Sequence, residues 1–263
     1  MNLEEQILSL KKRGFSQEQA EIIILMREAA VVLFCAFPES FLLYGGANLI
    51  FFHNSTRHSA DLDLLTIAGE VPGAEEIGKI LIGGLKPLAD FFNIAAFEVK
   101  TLSSDPSLTK IRVMTNEGRS LFTVDLTRLG SVLVKEIEEQ PVESASSGAV
   151  IKVKSASRDL LLLQKSEAFL LRKQIKVRDA YDIKVLTDAG ARLHNTLLQH
   201  LEDNLRWQEI DKEQILERIG QVDARRCEAE LSTVLSEEKF QDLKSKNFEP
   251  LRDVLLSLFA NWL

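Results

Sequence analysis

The sequence predicts an α+β protein in two parts, a mixed sheet with flanking helices followed by a helical domain. Three observations carry this. The stretch Phe41–Leu65, FLLYGGANLIFFHNSTRHSADLDLL, reads as buried strand, diglycine turn, short apolar helix, polar loop and second strand. Further strand-like runs follow between residues 96 and 154. After Ser157 no strand pattern returns and helical periodicity takes over. The boundary therefore falls near residue 155, giving domains over 1–155 and 156–263.

In chain order, Leu3–Arg13 is a short amphipathic helix ended by Gly14. Ser16 with Gln19 forms a capping-box pattern that opens a long helix over Gln17–Ala36, and Pro38 stops it. Phe41–Tyr44 is the first strand, Gly45-Gly46 the turn, and Asp61 and Asp63 lie on the second strand. Pro72-Gly73 is a turn, and Glu75–Phe92 a crossover helix weakened by Gly83, Gly84 and Pro87. Strands are expected at Ala96–Thr101, Lys110–Met114 and Ser120–Leu126, the last two joined through the hairpin signal Thr115–Gly118. Ser131–Glu136 and Ala149–Lys154 are extended, with Pro141–Gly148 as a loop between them. Helices then follow at Arg158–Lys173, Arg178–Asp188, His194–Trp207, Lys212–Ile219, Asp223–Leu235, Glu237–Lys244 and Pro250–Trp262.

Composition narrows the function classes. The 263 residues are 45% hydrophobic and 27% charged, ordinary for a globular protein with a sizeable core. Cys35 and Cys227 lie far apart with no paired-cysteine motif, so neither a disulfide framework nor a zinc site is expected, and a reducing cytoplasm is the expected location. The N-terminal MNLEEQILSLKKRG begins acidic and amphipathic, unlike a signal peptide. The apolar run Ile22–Phe37 is interrupted by Arg27 and Glu28, so no membrane span is expected. A formal net charge of −7 argues against a surface coated for nonspecific nucleic-acid binding. Local basicity remains: Ile151–Lys184 carries nine Lys/Arg against four Asp/Glu, whereas Asn195–Pro250 carries eight against thirteen.

The chemistry centres on Asp61 and Asp63. A strand turns residues i and i+2 to one face, so these two carboxylates point the same way among leucines. Such a pair is costly unless a cation sits between them, and a hard divalent ion such as Mg²⁺, or Mn²⁺, suits oxygen ligands. Asp125, ending the apolar run Leu121–Val124, is the candidate third acid. Gly45 and Gly46 would let the backbone approach a phosphate, at a helix start whose N–H groups are free. Arg57 adds a fork-shaped donor for phosphate. Lys165 follows an apolar helical run, and on the next helix Arg178 and Asp182 are one turn apart, as are Asp179 and Asp182. His53 and His58 flank Arg57 and are expected as solvated loop residues, and Trp207 and Trp262 as core or interface anchors.

These residues, in this order, resemble the AbiEii/AbiGii-type nucleotidyltransferase toxins, within the polymerase-beta-like nucleotidyltransferase superfamily. That family shows a Gly-Gly-(Thr/Ser)-x-Leu turn and then Arg-x-Ser-x-Asp-Leu-Asp, matched here by Gly45, Gly46, Ala47, Asn48, Leu49 and by Arg57, Ser59, Asp61, Leu62, Asp63. A second motif places Lys, Ala and Arg on one helix before Lys-x-Arg-Asp-x-x-Asp, matched by Lys165, Ala168, Arg172, Lys176, Arg178, Asp179 and Asp182. The likeness covers about residues 40 to 190. It implies a minimal nucleotidyltransferase sheet with a helical domain closing over the cleft. It also implies transfer of a nucleoside monophosphate from an NTP to a hydroxyl of RNA, with tRNA as the leading candidate, or of protein. Asp61, Asp63 and Asp125 would be the catalytic metal ligands. Gly45, Gly46, Arg57, Ser59, Lys165 and Arg178 would serve the nucleotide, and Asp179 and Asp182 would position the lysine or the base. A cognate antitoxin would be the protein partner, and the basic run from Lys152 to Lys184 the RNA-facing surface.

One residue departs from the pattern. Ala47 stands where the family has a hydroxyl, so backbone N–H groups or Asn48 would have to hold the terminal phosphates. This keeps open a catalytically weak or inactive nucleotide-binding module on the same fold. Transfer to a small molecule, as in aminoglycoside-modifying enzymes, would use the same metal site.

Overall fold

A computed structural model describes residues 2–67, 72–105, 107–128 and 136–263. The chain forms two compact units. The first runs to Asn54 and resumes over His58–Ala156; the second takes Ser55–Arg57 and Ser157–Leu263.

In the first unit, α1 (Leu3–Lys12) and α2 (Gln17–Ala36) each open on a capping box. Ser16 Oγ accepts from Gln19 N at 3.2 Å while Gln19 Oε1 accepts from Ser16 N at 2.9 Å. Caps of this kind contribute about 1 kcal/mol each. Helix α2 is apolar on nearly every side and forms the middle of the core, with Ile24, Met26, Ala29 and Leu33 fully buried. Its Glu28, 2% exposed, would be costly alone. The carboxylate instead accepts from Ser144 Oγ (2.9 Å), Ala145 N (2.6 Å) and Ser146 Oγ (2.5 Å). The acid that interrupts the apolar run thus ties down a loop.

The described strands are β1 (Phe41–Tyr44), β2 (Asp61–Thr66), β3 (Phe97–Asp105), β4 (Leu108–Thr115), β5 (Ser120–Arg128), β6 (Ile137–Glu143) and β7 (Val150–Ala156). They form one mixed sheet in the order β3-β4-β5-β2-β1-β7-β6. The pairs β1–β7 and β2–β5 are parallel, and the others antiparallel. Central β1 buries Phe41, Leu42 and Leu43 completely. Strand β2 alternates: Leu62, Leu64 and Thr66 are buried, whereas Asp61, Asp63 and Leu65 are half-buried on the other face.

Helix α3 (Gly45–Phe52) begins on the diglycine itself, rather than after a turn as the sequence suggests. Helix α4 (Ala74–Leu85) gives way to a 3₁₀ turn at Lys86–Leu88, short of the expected end at Phe92, because Pro87 has no N–H to continue the ladder. Two other expectations change. The loop expected over Pro141–Gly148 begins only after Glu143, since β6 runs through Pro141. Strand β6 is the last in the sheet order, and an edge strand tolerates a missing donor. Of the extended piece expected over Ser131–Glu136, all but Glu136 lies outside the described residues.

The second unit holds α5 (Arg158–Leu171), α6 (Val177–Asp188), α7 (Asn195–Trp207), α8 (Lys212–Gly220), α9 (Ala224–Leu231), α10 (Glu237–Ser245) and α11 (Glu249–Leu258), then a 3₁₀ turn at Ala260–Trp262. Ser157, Asp211, Asp223 and Ser236 cap four of these helices with their side chains. Phe169 and Phe259 stack in the core at 6.2 Å. Trp207 is 83% exposed and is no core anchor. Helix α7 buries Leu197, Leu201 and Leu205, and two residues further on is the far side of a helix. Trp262 does pack, tilted against Phe259 at 6.2 Å. Both cysteines are free thiols; burial pushes that of Cys227 up to about 12. No described helix is long and apolar enough to cross a membrane.

Candidate active site

The first unit brings its acids into one row. Parallel β5 runs beside β2 in a register that sets Asp61 against Thr123 and Asp63 against Asp125. Directly paired residues on neighbouring strands project from the same face. The three carboxylates therefore share one face, and the intervening Leu62, Leu64, Val124 and Leu126 are fully buried. The row extends on both sides: Tyr44 pairs with Asp63, and Lys110 on β4 pairs with Asp125.

Asp61 and Asp125 each accept a short hydrogen bond. Thr123 Oγ1 donates to Asp61 Oδ1 at 2.6 Å, and Lys110 Nζ donates to Asp125 Oδ2 at 2.6 Å. Asp125 Oδ1 is buried and has no hydrogen-bond partner among the described residues. The bond to Asp125 raises the Lys110 ammonium above the usual lysine range; against partial burial, the charges of Asp125, Asp61 and Asp63 add to it. Three carboxylates turned to one half-buried face, one with a buried oxygen lacking a partner among the described residues, supply the kind of oxygen donors that a hard divalent cation such as Mg²⁺ or Mn²⁺ takes.

Gly45 is the reason Asp63 can sit where it does. Its φ is +70°, and a Cβ there would lie 2.0 Å from Asp63 Oδ2. Gly46 and Ala47 are buried in the same first turn of α3. Asn48 does not replace the missing hydroxyl of Ala47. Its amide nitrogen donates to Leu43 O at 2.8 Å, Ser155 Oγ at 2.9 Å and Ala156 O at 3.2 Å, which ties α3 to β1 and β7.

The second unit contains a separate buried charge network. Arg57, 4% exposed, closes its fork on Asp182, with Nε to Oδ1 at 2.8 Å and Nη2 to Oδ2 at 2.9 Å. Lys165 Nζ lies 2.9 Å from Asp182 Oδ2 and 3.5 Å from Asp179 Oδ1. Arg172 Nη1 donates to Asp179 Oδ2 at 2.5 Å. Burial alone would raise the Asp182 carboxyl, but Arg57 and Lys165 more than reverse this and hold it below the usual range. Burial likewise opposes the Arg57 charge, and Asp182 foremost restores it and lifts it higher. Thr56 and Tyr181 add a hydroxyl pair at 3.1 Å.

Of the residues singled out in the sequence, Gly45, Asp61, Asp63 and Asp125 come together in the first unit. Arg57, Lys165, Asp179 and Asp182 come together in the second. Arg57, expected at a phosphate, has its fork committed to Asp182. Arg178 is half-buried on α6 and takes no part in this network, and Ser59 is buried in its loop. His53 and His58, expected as solvated loop residues, are half-buried. Lys110 and Thr123 were not legible from the sequence. Each contacts an acid through strand register, and no local motif marks either one.

A family model described as the nucleotidyl transferase AbiEii toxin of type IV toxin–antitoxin systems matches residues 31–259. The chain belongs to that family. AbiEii membership makes it a nucleotidyltransferase of the toxin class and implies a nucleotide substrate and an antitoxin partner. Solved structures align with the chain at low identity. A protein from H. pylori provisionally described as a nucleotidyltransferase aligns with a TM-score of 0.56 and 13% identity, over 94% of this chain and 97% of its own. JHP933 from Helicobacter pylori gives 0.53 and 13%, over 98% and 94%. MenT4, a nucleotidyltransferase toxin from Mycobacterium tuberculosis H37Rv, gives 0.49 and 14%, over 95% and 88%. No curated protein matches the sequence.

Proposed function

We propose that the chain moves a nucleoside monophosphate from an NTP to a hydroxyl of RNA, tRNA foremost, or of protein, breaking the α–β phosphoanhydride bond and releasing pyrophosphate, and that it does so with Mg²⁺ or Mn²⁺. The observation that carries this reading is the row of Asp61, Asp63 and Asp125 on one face of the sheet. Asp61 and Asp63 would hold both cations, and Asp125 would also hold the catalytic one. When bound, the cations neutralise the transferring phosphoryl group and polarise the acceptor hydroxyl. Asp125 would also help accept the hydroxyl proton. The first turn of α3 offers backbone N–H groups to phosphate at Gly45 and Gly46. For the triphosphate we assign Lys165 and Arg178, with Asp179 and Asp182 positioning Lys165.

The test is incubation with each of four labelled NTPs, Mg²⁺ and total RNA or protein. Asp61→Asn, Asp63→Asn and Asp125→Asn, each with an unchanged circular-dichroism spectrum, should lose label transfer at least about a hundredfold. That factor is what loss of an outer partner of a metal ligand already costs. Full transfer by Asp61→Asn or Asp63→Asn would overturn the mechanism.

One observation favours a second reading, a nucleotide-binding module without turnover. Ala47 supplies no hydroxyl, and the Asn48 amide is occupied elsewhere. Calorimetry showing NTP and Mg²⁺ binding, with no label moved to any RNA or protein, would select it.

A further inference from the structure

We propose that Lys110 is a built-in counter-cation of the acid row, and that it sets the affinity of that row for divalent metal by opposing it. The inference rests on the metal reading of Asp61, Asp63 and Asp125 given above.

Its position is fixed by the sheet. Lys110 pairs with Asp125, which pairs with Asp63, so ammonium and carboxylates stand in one cross-strand row. That register depends on an irregularity. Met114 pairs with Ser120 but Val113 with Phe122, so β5 has one more residue than β4 across this step. With uninterrupted pairing from Met114–Ser120, Asp125 would face Thr109 instead of Lys110. Bulges of this kind re-aim side chains beside active sites.

The contact is more than a surface pair. The Lys110 and Asp125 side chains are 33% and 19% exposed, and the bond between them is 2.6 Å. A partly buried charge is screened far less than one in open solvent. Among the described residues, three carboxylates share this face with the Lys110 ammonium, and Arg112, two residues along β4, stands opposite Thr123. A divalent cation and the ammonium are thus drawn to the same negative charge and repel each other. Lys110 also engages Asp125 Oδ2, so a cation and the ammonium compete for that carboxylate. The lysine keeps the acid row compact without metal, and weakens metal binding in doing so.

The experiment measures Mn²⁺ binding to the full chain without nucleotide, by the electron paramagnetic resonance signal of the free ion at fixed ionic strength. Lys110→Met should bind Mn²⁺ about tenfold more tightly than wild type, the scale of one like charge removed a few ångströms away at a half-exposed site. Lys110→Arg, which keeps the charge, should stay within about twofold of wild type. Lys110→Met without metal should melt below wild type, and saturating Mn²⁺ should raise its melting temperature by the larger amount. Lys110→Gln provides the same reading if the methionine variant does not fold. Equal or weaker Mn²⁺ binding in the neutral variants overturns the proposal. Asp63→Asn separates the two levels of argument. If it loses Mn²⁺ binding while the neutral Lys110 variants gain nothing, the metal reading stands and the role of Lys110 falls. If wild type and Asp63→Asn bind alike, both fall.

Discussion

Single residues decide whether the acid row can exist. Gly45 shows this most directly, because its backbone is left-handed and Asp63 Oδ2 occupies the space of its missing Cβ. Gly45→Ala should therefore cost about 1–2 kcal/mol of backbone strain and also push the Asp63 carboxylate out of line. Gly84→Ala is the control. Its Cβ would meet Val32 Cγ2 at 2.4 Å, a clash between α4 and α2 that does not involve the acid row. Both variants should melt at lower temperature. Only Gly45→Ala should also lose nucleotidyl transfer per folded molecule, so transfer rate measured beside the melting curve separates them. A Gly45→Ala chain that keeps full transfer would remove Gly45 from the site.

At the scale of elements, the helical unit is held by charge as well as by apolar packing. Asp182 on α6 receives Lys165 from α5 and Arg57 from the loop segment, all almost fully buried. Removing one partner of such a buried pair costs about 3–5 kcal/mol, because it leaves the others unpaired. Asp182→Asn should destabilise this unit by about that amount at pH 7. The folded Asp182 carboxyl lies below its unfolded value of about 3.9. Its contribution is thus complete above that value and fades as pH falls through the folded one. The gap between wild type and Asp182→Asn should accordingly shrink below about pH 4. Urea unfolding followed by tryptophan fluorescence reads this unit alone, since Trp207 and Trp262 are the chain's two tryptophans and both lie in it. A gap that stays constant with pH would show that the Asp182 charge does not carry the effect.

At the scale of the whole molecule, the AbiEii family match spans residues 31–259, which includes the acid row and the charge network alike. A toxin of this class whose harm comes from nucleotidyl transfer should arrest growth when its expression is induced in a bacterial host. The Asp63→Asn chain, expressed at the same level, should not. Equal arrest by both would place the toxicity outside the acid row.

Much of this protein is determined locally and is therefore readable from the sequence. The capping box at Ser16 and Gln19, the period-two burial of β2 and the common face of Asp61 and Asp63 follow from backbone geometry within a few residues. The strand–glycine–helix–strand order and its acids are likewise local, and they carry the family resemblance. Pairings across long sequence separations belong to the tertiary structure alone. Arg57 meets Asp182 across 125 residues, a pairing that no local pattern announces. Strand β6 accepts Pro141 because it lies at the edge of the sheet. One extra residue in β5 aligns Asp125 with Lys110. Alternation along a strand says which residues share a face, but only the packed sheet fixes which strand lies alongside and in what register.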